Sequence, residues 1–181
     1  MKKSLIICLL ALTFIMLCST NLSAQKFRGL DKSPMDAAAF PASYKEANKA
    51  IRIIYSRPQL KDRDLSSLAP NGKVWRTGAN EAPELTLYKD MHLGNTLIKA
   101  GTYTFYVIPG DKEWTAIISK DINVWGAYSY NEANDVARLS VPVVSDEESL
   151  EAFSIVFDEK NNVINMHLGW GTTRVTVPFT K

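Results

Sequence analysis

Along this chain, apolar and polar residues change places with a period of two in one segment after another. Ile51, Ile53 and Tyr55 alternate with Arg52, Ile54 and Ser56, and the run stops at Arg57-Pro58, where proline holds its predecessor extended. Leu85 and Leu87 alternate with Thr86 and Tyr88. From Thr102 to Ile108, Tyr103, Phe105 and Val107 share one face and Thr104, Tyr106 and Ile108 the other, and two partly apolar faces predict a central strand. Trp114 to Ser119 returns the chain after the Pro109-Gly110-Asp111-Lys112 turn, an antiparallel hairpin. Further strands are predicted over Asp135 to Val144, Ser149 to Phe157, Val163 to Trp170 and Thr173 to Phe179. The acidic Ser145 to Glu148 connects the first two, and Gly171 separates the last two.

Helical signals are few. Ser33, Pro34 and Asp36 read as a cap, a first helical position and a favourable first-turn charge, predicting a short helix over Met35 to Phe40 that Pro41 stops. Asp64 caps a single turn through Leu68, closed by Pro70-Asn71-Gly72. Roughly nine strands with turn signals about every 8 to 12 residues predict an all-β fold, an antiparallel β-sandwich of jelly-roll-like type. The organisation expected is residues 25–49 as a lead-in with its short helix and residues 50–181 as the β-sandwich domain.

The first 24 residues read differently. Lys2 and Lys3 precede an apolar run from Leu5 to Leu17, then small and polar residues to Ala24, the layout of a secretory signal peptide. The run falls short of the roughly 20 apolar residues that span a bilayer, so no stable membrane span is expected, and the product is periplasmic or secreted. A lipid anchor at Cys18 is disfavoured by Leu17, which stands where a small residue is expected. Cys8 and Cys18 both fall in the segment removed, leaving no thiol, disulfide or thiolate metal site. Lys2 and Lys3 account for two of the 21 Lys and Arg residues, so 19 remain against the 19 acidic residues. That balance argues against a general nucleic-acid binder, which needs a basic excess.

The stretch from Lys73 to Asp90 carries the densest polar chemistry. Arg76, Asn80 and Glu81 place a guanidinium, an amide and a carboxylate within six positions around Gly78, next to Trp75. With YSRP, NGKVWRTGANEAPELTLYKD, KAGTYTFYVIPG, EWTAIISKD, WGAYSY and TTRVTVPF in that order, the chain from about Asp31 to Phe179 resembles the secreted bacterial family catalogued as domain of unknown function 2911. The resemblance implies no activity, because the family name assigns none.

Two uses of these residues stay open. Trp75, Arg76, Asn80 and Glu81, with Arg57 at the end of its strand and Trp125 and Tyr128 in the aromatic Val124 to Tyr130 loop, can line a site for a polar small molecule such as a glycan or a carboxylate. Alternatively the same residues are structural: an arginine paired with Glu81, Asn80 on local backbone, Trp75 plugging the core and the aromatic loop covering an open end of the sandwich. A hydrolase would use Glu81 or His167 as a general base and Arg57 or Arg76 to stabilise negative charge. Paired carboxylates can also meet from distant strands, and Glu81, Glu84, Asp90, Asp121 and Asp135 are available for that. A third class is an envelope protein that contacts a partner through an exposed sheet edge or the aromatic loop. His92 and His167 lie far apart without a local carboxylate motif, so neither a metal site nor a cofactor is expected.

Overall fold

The computed structural model describes residues 25–181, so the signal peptide expected over residues 1–24, with Cys8 and Cys18, lies outside the described residues. The chain divides into two units, residues 1–30 and Asp31–Lys181. Residues 25–30 are exposed and without regular structure, and every strand among the described residues belongs to the second unit.

That unit is an antiparallel sheet of nine strands: β1 (Met35–Phe40), β2 (Ile51–Ser56), β3 (Glu84–Leu87), β4 (Met91–Leu93), β5 (Thr96–Ile98), β6 (Gly101–Ile108), β7 (Glu113–Ser119), β8 (Asp135–Lys160) and β9 (Val163–Thr180). Their order across the sheet is β1-β2-β3-β6-β7-β8-β9-β4-β5. The expectation of an all-β antiparallel fold therefore holds, with β6 among the central strands. The one described α-helical element is a single turn, α1 (Leu65–Leu68), at the expected place, with Asp64 at its N-cap position but making no side-chain capping bond.

The expected helix over Met35 to Phe40 is corrected. This segment is β1, paired residue for residue with β2 from Met35 opposite Ser56 to Phe40 opposite Ile51. Local signals favoured a helix, but a strand satisfies the otherwise open backbone edge of β2 and turns Ala38 and Phe40 onto the core. A second correction concerns the acidic link Ser145 to Glu148. It remains inside β8, one strand of 26 residues, whose first part pairs with β7 and whose later part pairs with β9. The register shifts on either side of Leu150 mark where the strand is irregular. No glycine, proline or asparagine there forces a chain reversal, and irregular pairing lets a strand bend without ending. Likewise, the two strands expected on either side of Gly171 form one, β9, of 18 residues.

Burial follows the predicted alternation. Leu85 and Leu87 of β3, Phe153, Ile155 and Phe157 of β8, and Ile164, Met166, Leu168 and Trp170 of β9 all face one core. Its aromatic centre is Trp75, which stacks on Trp170 with ring centroids 5.5 Å apart and planes 16° from parallel. Phe153 and Trp114 meet Trp75 edge-on at 5.2 and 6.1 Å. Tyr55 meets Phe153 at 5.6 Å, and its hydroxyl accepts a hydrogen bond from the Ile155 amide at 2.8 Å. Past β2 the chain stays on β8, with Leu60 N–H donating to Glu151 O at 2.9 Å and Phe153 N–H to Pro58 O at 2.9 Å.

Because Trp75 is 5 % exposed and touches three other aromatic rings, Trp75→Ala should lower unfolding free energy by about 3–5 kcal/mol in urea titrations followed by circular dichroism. Trp75→Phe should cost less, since it keeps part of the ring contact.

Candidate functional site

The residues from Lys73 to Pro83 lie along β6 beyond the part that pairs with β3. Trp75 N–H donates to Val107 O at 2.8 Å, Val107 N–H returns a bond to Trp75 O at 3.1 Å, and Phe105 N–H donates to Pro83 O at 3.1 Å. Thr77 and Asn80 take left-handed backbone angles, φ 50° and 60°. Between them Gly78 lies so close to β2 that a Cβ would stand 2.9 Å from Ser56 O, so only glycine fits.

The chain then meets the aromatic loop. Gly126 N–H donates to Asn80 O and Ala82 N–H to Val124 O, both at 3.0 Å, with Glu81 opposite Trp125. This short antiparallel ladder makes Asn80, Glu81 and Trp125 backbone neighbours. Gly126, at φ +69°, leaves room for the Tyr128 ring, which a Cβ at this position would meet at 2.7 Å.

One hollow lies at each end of the ladder. Toward Trp75 and Tyr128 there is a groove of about 230 Å³ lined by Leu68, Pro70, Lys73, Arg76 and Tyr128 among others. No carboxylate lines it. The Arg76 Nε is buried and has no hydrogen-bond partner among the described residues. Tyr128, 86 % exposed, presents its ring at the edge. Toward Ala82 and Val124 there is a cleft of about 180 Å³ lined by Ser56, Glu81 and Glu84 against Met35, Ile54 and Val124.

The predicted residues are therefore divided. Arg76 and Tyr128 share the groove, with Trp75 in its floor; Glu81 lines the cleft; Asn80 and Trp125 sit on the ladder. The Asn80 amide is engaged with Asp31, whose carboxyl the Ser33 N–H and Asn80 together hold below the usual range. Arg57 is occupied elsewhere. Its guanidinium donates to Phe153 O at 3.0 Å, Ser154 Oγ at 2.7 Å and Asp36 Oδ2 at 3.1 Å, joining β2 to β8 and β1. Lys73 and Ser56 were not among the residues singled out from sequence. Lys73 directly follows a turn and precedes Trp75, and Ser56 alternates with core-facing Tyr55, which are the signals that mark them.

The histidines stay apart. His92 is in β4, whereas His167 in β9 lies with Nδ1 2.9 Å from Thr176 Oγ1 and Nε2 3.1 Å from Asp158 Oδ1. Among the described residues no group of three or more His, Cys, Asp or Glu is placed to hold a metal ion.

The aromatic loop is fastened over the outer face of β6 and β7. Thr104 Oγ1 donates to Asp121 O at 2.6 Å, and the Tyr106 and Tyr130 rings meet edge-on at 5.3 Å. Tyr130 donates to Asp135 Oδ2 at 2.6 Å, where Arg138 Nε also sits at 3.1 Å. Burial raises the Asp135 pKa despite these partners, and it pushes the Tyr106 phenol up to about 12, helped by Asp121 and Asp135. Tyr130 is raised as well, by burial and then by its bond to Asp135.

A phenol that ionises later in the folded protein than in the unfolded chain keeps its extra proton only when folded. The stability this contributes is complete below the ordinary value near 10 and is lost as pH rises through about 12 for Tyr106. Melting curves recorded from pH 7 upward should therefore fall as pH passes 10. Tyr106→Phe should melt close to wild type at pH 7, because its hydroxyl has no hydrogen bond among the described residues, and should lose less on the alkaline side.

Neither the curated proteins nor the solved structures include a match to this chain. A family model described as "Protein of unknown function (DUF2911)" matches residues 36–179, from the first residues of β1 to the end of β9. With most of its length covered by that match, the chain belongs to this family.

Proposed function

We propose that the protein is an exported ligand-binding module whose groove beside Arg76 receives the carboxylate of a polar ligand such as an acidic glycan. The observation that carries this reading is the buried, unpartnered Arg76 Nε. A guanidinium N–H withdrawn from water without a partner is costly, and the group that best satisfies it is a carboxylate meeting its planar fork. Lys73 adds a second positive charge, and the absence of a lining carboxylate leaves that charge uncancelled. Tyr128 offers an exposed ring on which a sugar face can stack. Export rests on the charged, apolar and small-residue sequence of residues 1–24.

A second reading, a hydrolase with His167 as general base, has one observation in its favour. Thr176 Oγ1, His167 and Asp158 stand in hydrogen-bonded succession, the order of a hydroxyl, a base and an orienting carboxylate. Glu81 gains no such support, since neither Arg57 nor Arg76 lines its cleft. Hydrolysis of p-nitrophenyl acetate that disappears in both His167→Ala and Thr176→Ala would favour catalysis; rates equal to wild type in both would remove it.

For the binding reading, oligogalacturonate should raise the melting temperature of wild type, whereas the neutral sugar of the same length should raise it less. Arg76→Ala should weaken acidic-sugar binding by roughly tenfold to a hundredfold in calorimetry, and Arg76→Lys should recover only part. Equal stabilisation of wild type and Arg76→Ala by the acidic sugar would sink the assignment.

A further inference from the structure

The cleft at the other end of the ladder has the opposite electrical character. Glu81, Glu84 and Ser56 line it, and no Lys, Arg or His is among its lining residues. Neither glutamate forms an ion pair among the described residues. Ser56 lines the cleft, is 4 % exposed as a residue, and its hydroxyl makes no hydrogen bond among the described residues. A hydroxyl without a protein partner, lining an acidic cleft, is free to accept from a donor that enters it.

The shape of the lining narrows what that donor is. Met35, Ile54 and Val124 give the cleft an apolar wall beside Ser56, Glu81 and Glu84; Asn123 also lines it, while the Tyr55 and Thr104 hydroxyls are bonded to Ile155 and to Asp121 O. A calcium ion takes about six to eight oxygen ligands, and no group of three or more metal-binding side chains is placed for one among the described residues. A primary ammonium on an aliphatic stem has three N–H donors, no acceptor and an apolar shaft. Its donors match Glu81, Glu84 and Ser56, and its shaft matches the wall.

We propose that this cleft binds a primary alkylammonium group, carried by a free diamine or by a lysine side chain. Glu81 and Glu84 balance the charge, and the Ser56 hydroxyl accepts a hydrogen bond. The assignment is independent of the Arg76 groove and stands if the acidic-glycan reading fails.

Calorimetric titration of the full chain with 1,5-diaminopentane and with Nα-acetyl-lysine amide tests it, with 1-pentanol and calcium chloride as controls. At least one amine should bind, with pentanol and calcium silent, and added salt should weaken the binding. Glu81→Gln and Glu84→Gln should each reduce amine affinity by roughly tenfold, Ser56→Ala by less, and Arg76→Ala should leave it unchanged. Binding of the diamine alone identifies a free amine as the source, and binding of the lysine amide alone identifies a peptide side chain. In wild type, the backbone amide resonances of Ser56, Glu84 and Val124 should shift on adding the amine, a readout that does not depend on any variant folding. No binding of either amine, calcium binding in their place, or unchanged affinity in the folded Glu81→Gln/Glu84→Gln double variant would overturn the proposal.

Discussion

The stack of Trp75 on Trp170 fixes what the rest of the molecule can do. These rings, with Phe153, Trp114 and Tyr55, draw residues from β2, β7, β8, β9 and the Lys73–Pro83 segment into one contact. Each such aromatic pair contributes about 0.5–1.5 kcal/mol beyond the burial of its surface. The consequence for the groove is direct, because Arg76 is the next residue along. Its backbone is held by the Trp75 ring in the core and by the bonds between Trp75 and Val107, so the guanidinium is presented from a rigid base rather than from a mobile loop.

The same constraint explains why the sheet folds over its own core. Tyr55 and Arg57, at the end of β2, reach β8 at Ile155, Phe153 and Ser154, while the first part of β8 pairs with β7 and its later part with β9. One strand thus serves two neighbourhoods. The irregular pairing around Leu150 lets it do so, and the side chains from Val144 to Ser149 are left mostly in solvent.

The strands were legible because period-two alternation records which face is buried, and that pattern held in β2, β3, the later part of β8 and much of β9. Two kinds of feature were not. Met35 to Phe40 carries helix-start residues and alanines, and only the unpaired edge of β2, distant in sequence, decides for a strand. Ser145 to Glu148 looks like a turn by charge, but charge places residues in solvent without reversing a chain. For the site, residue chemistry pointed to Arg76, Glu81, Trp125 and Tyr128 and missed how they divide. The division comes from the register of Asn80–Ala82 against Val124–Gly126, which no local pattern specifies. Arg57 shows the converse: a guanidinium at a strand end reads as available until the backbone carbonyl and hydroxyl that occupy it come from a segment almost a hundred positions away.

That last separation orders events in time as well as in space. Tyr55 waits for Ile155, 100 residues downstream, before its hydroxyl has a partner, and Trp75 waits for Trp170 before its ring is covered. A chain emerging from its N-terminus can pair β1 with β2 early, but it cannot close the core until β8 and β9 have followed. Contacts this remote make folding slow and place its commitment late. The core is therefore complete only when the C-terminal strands have been made.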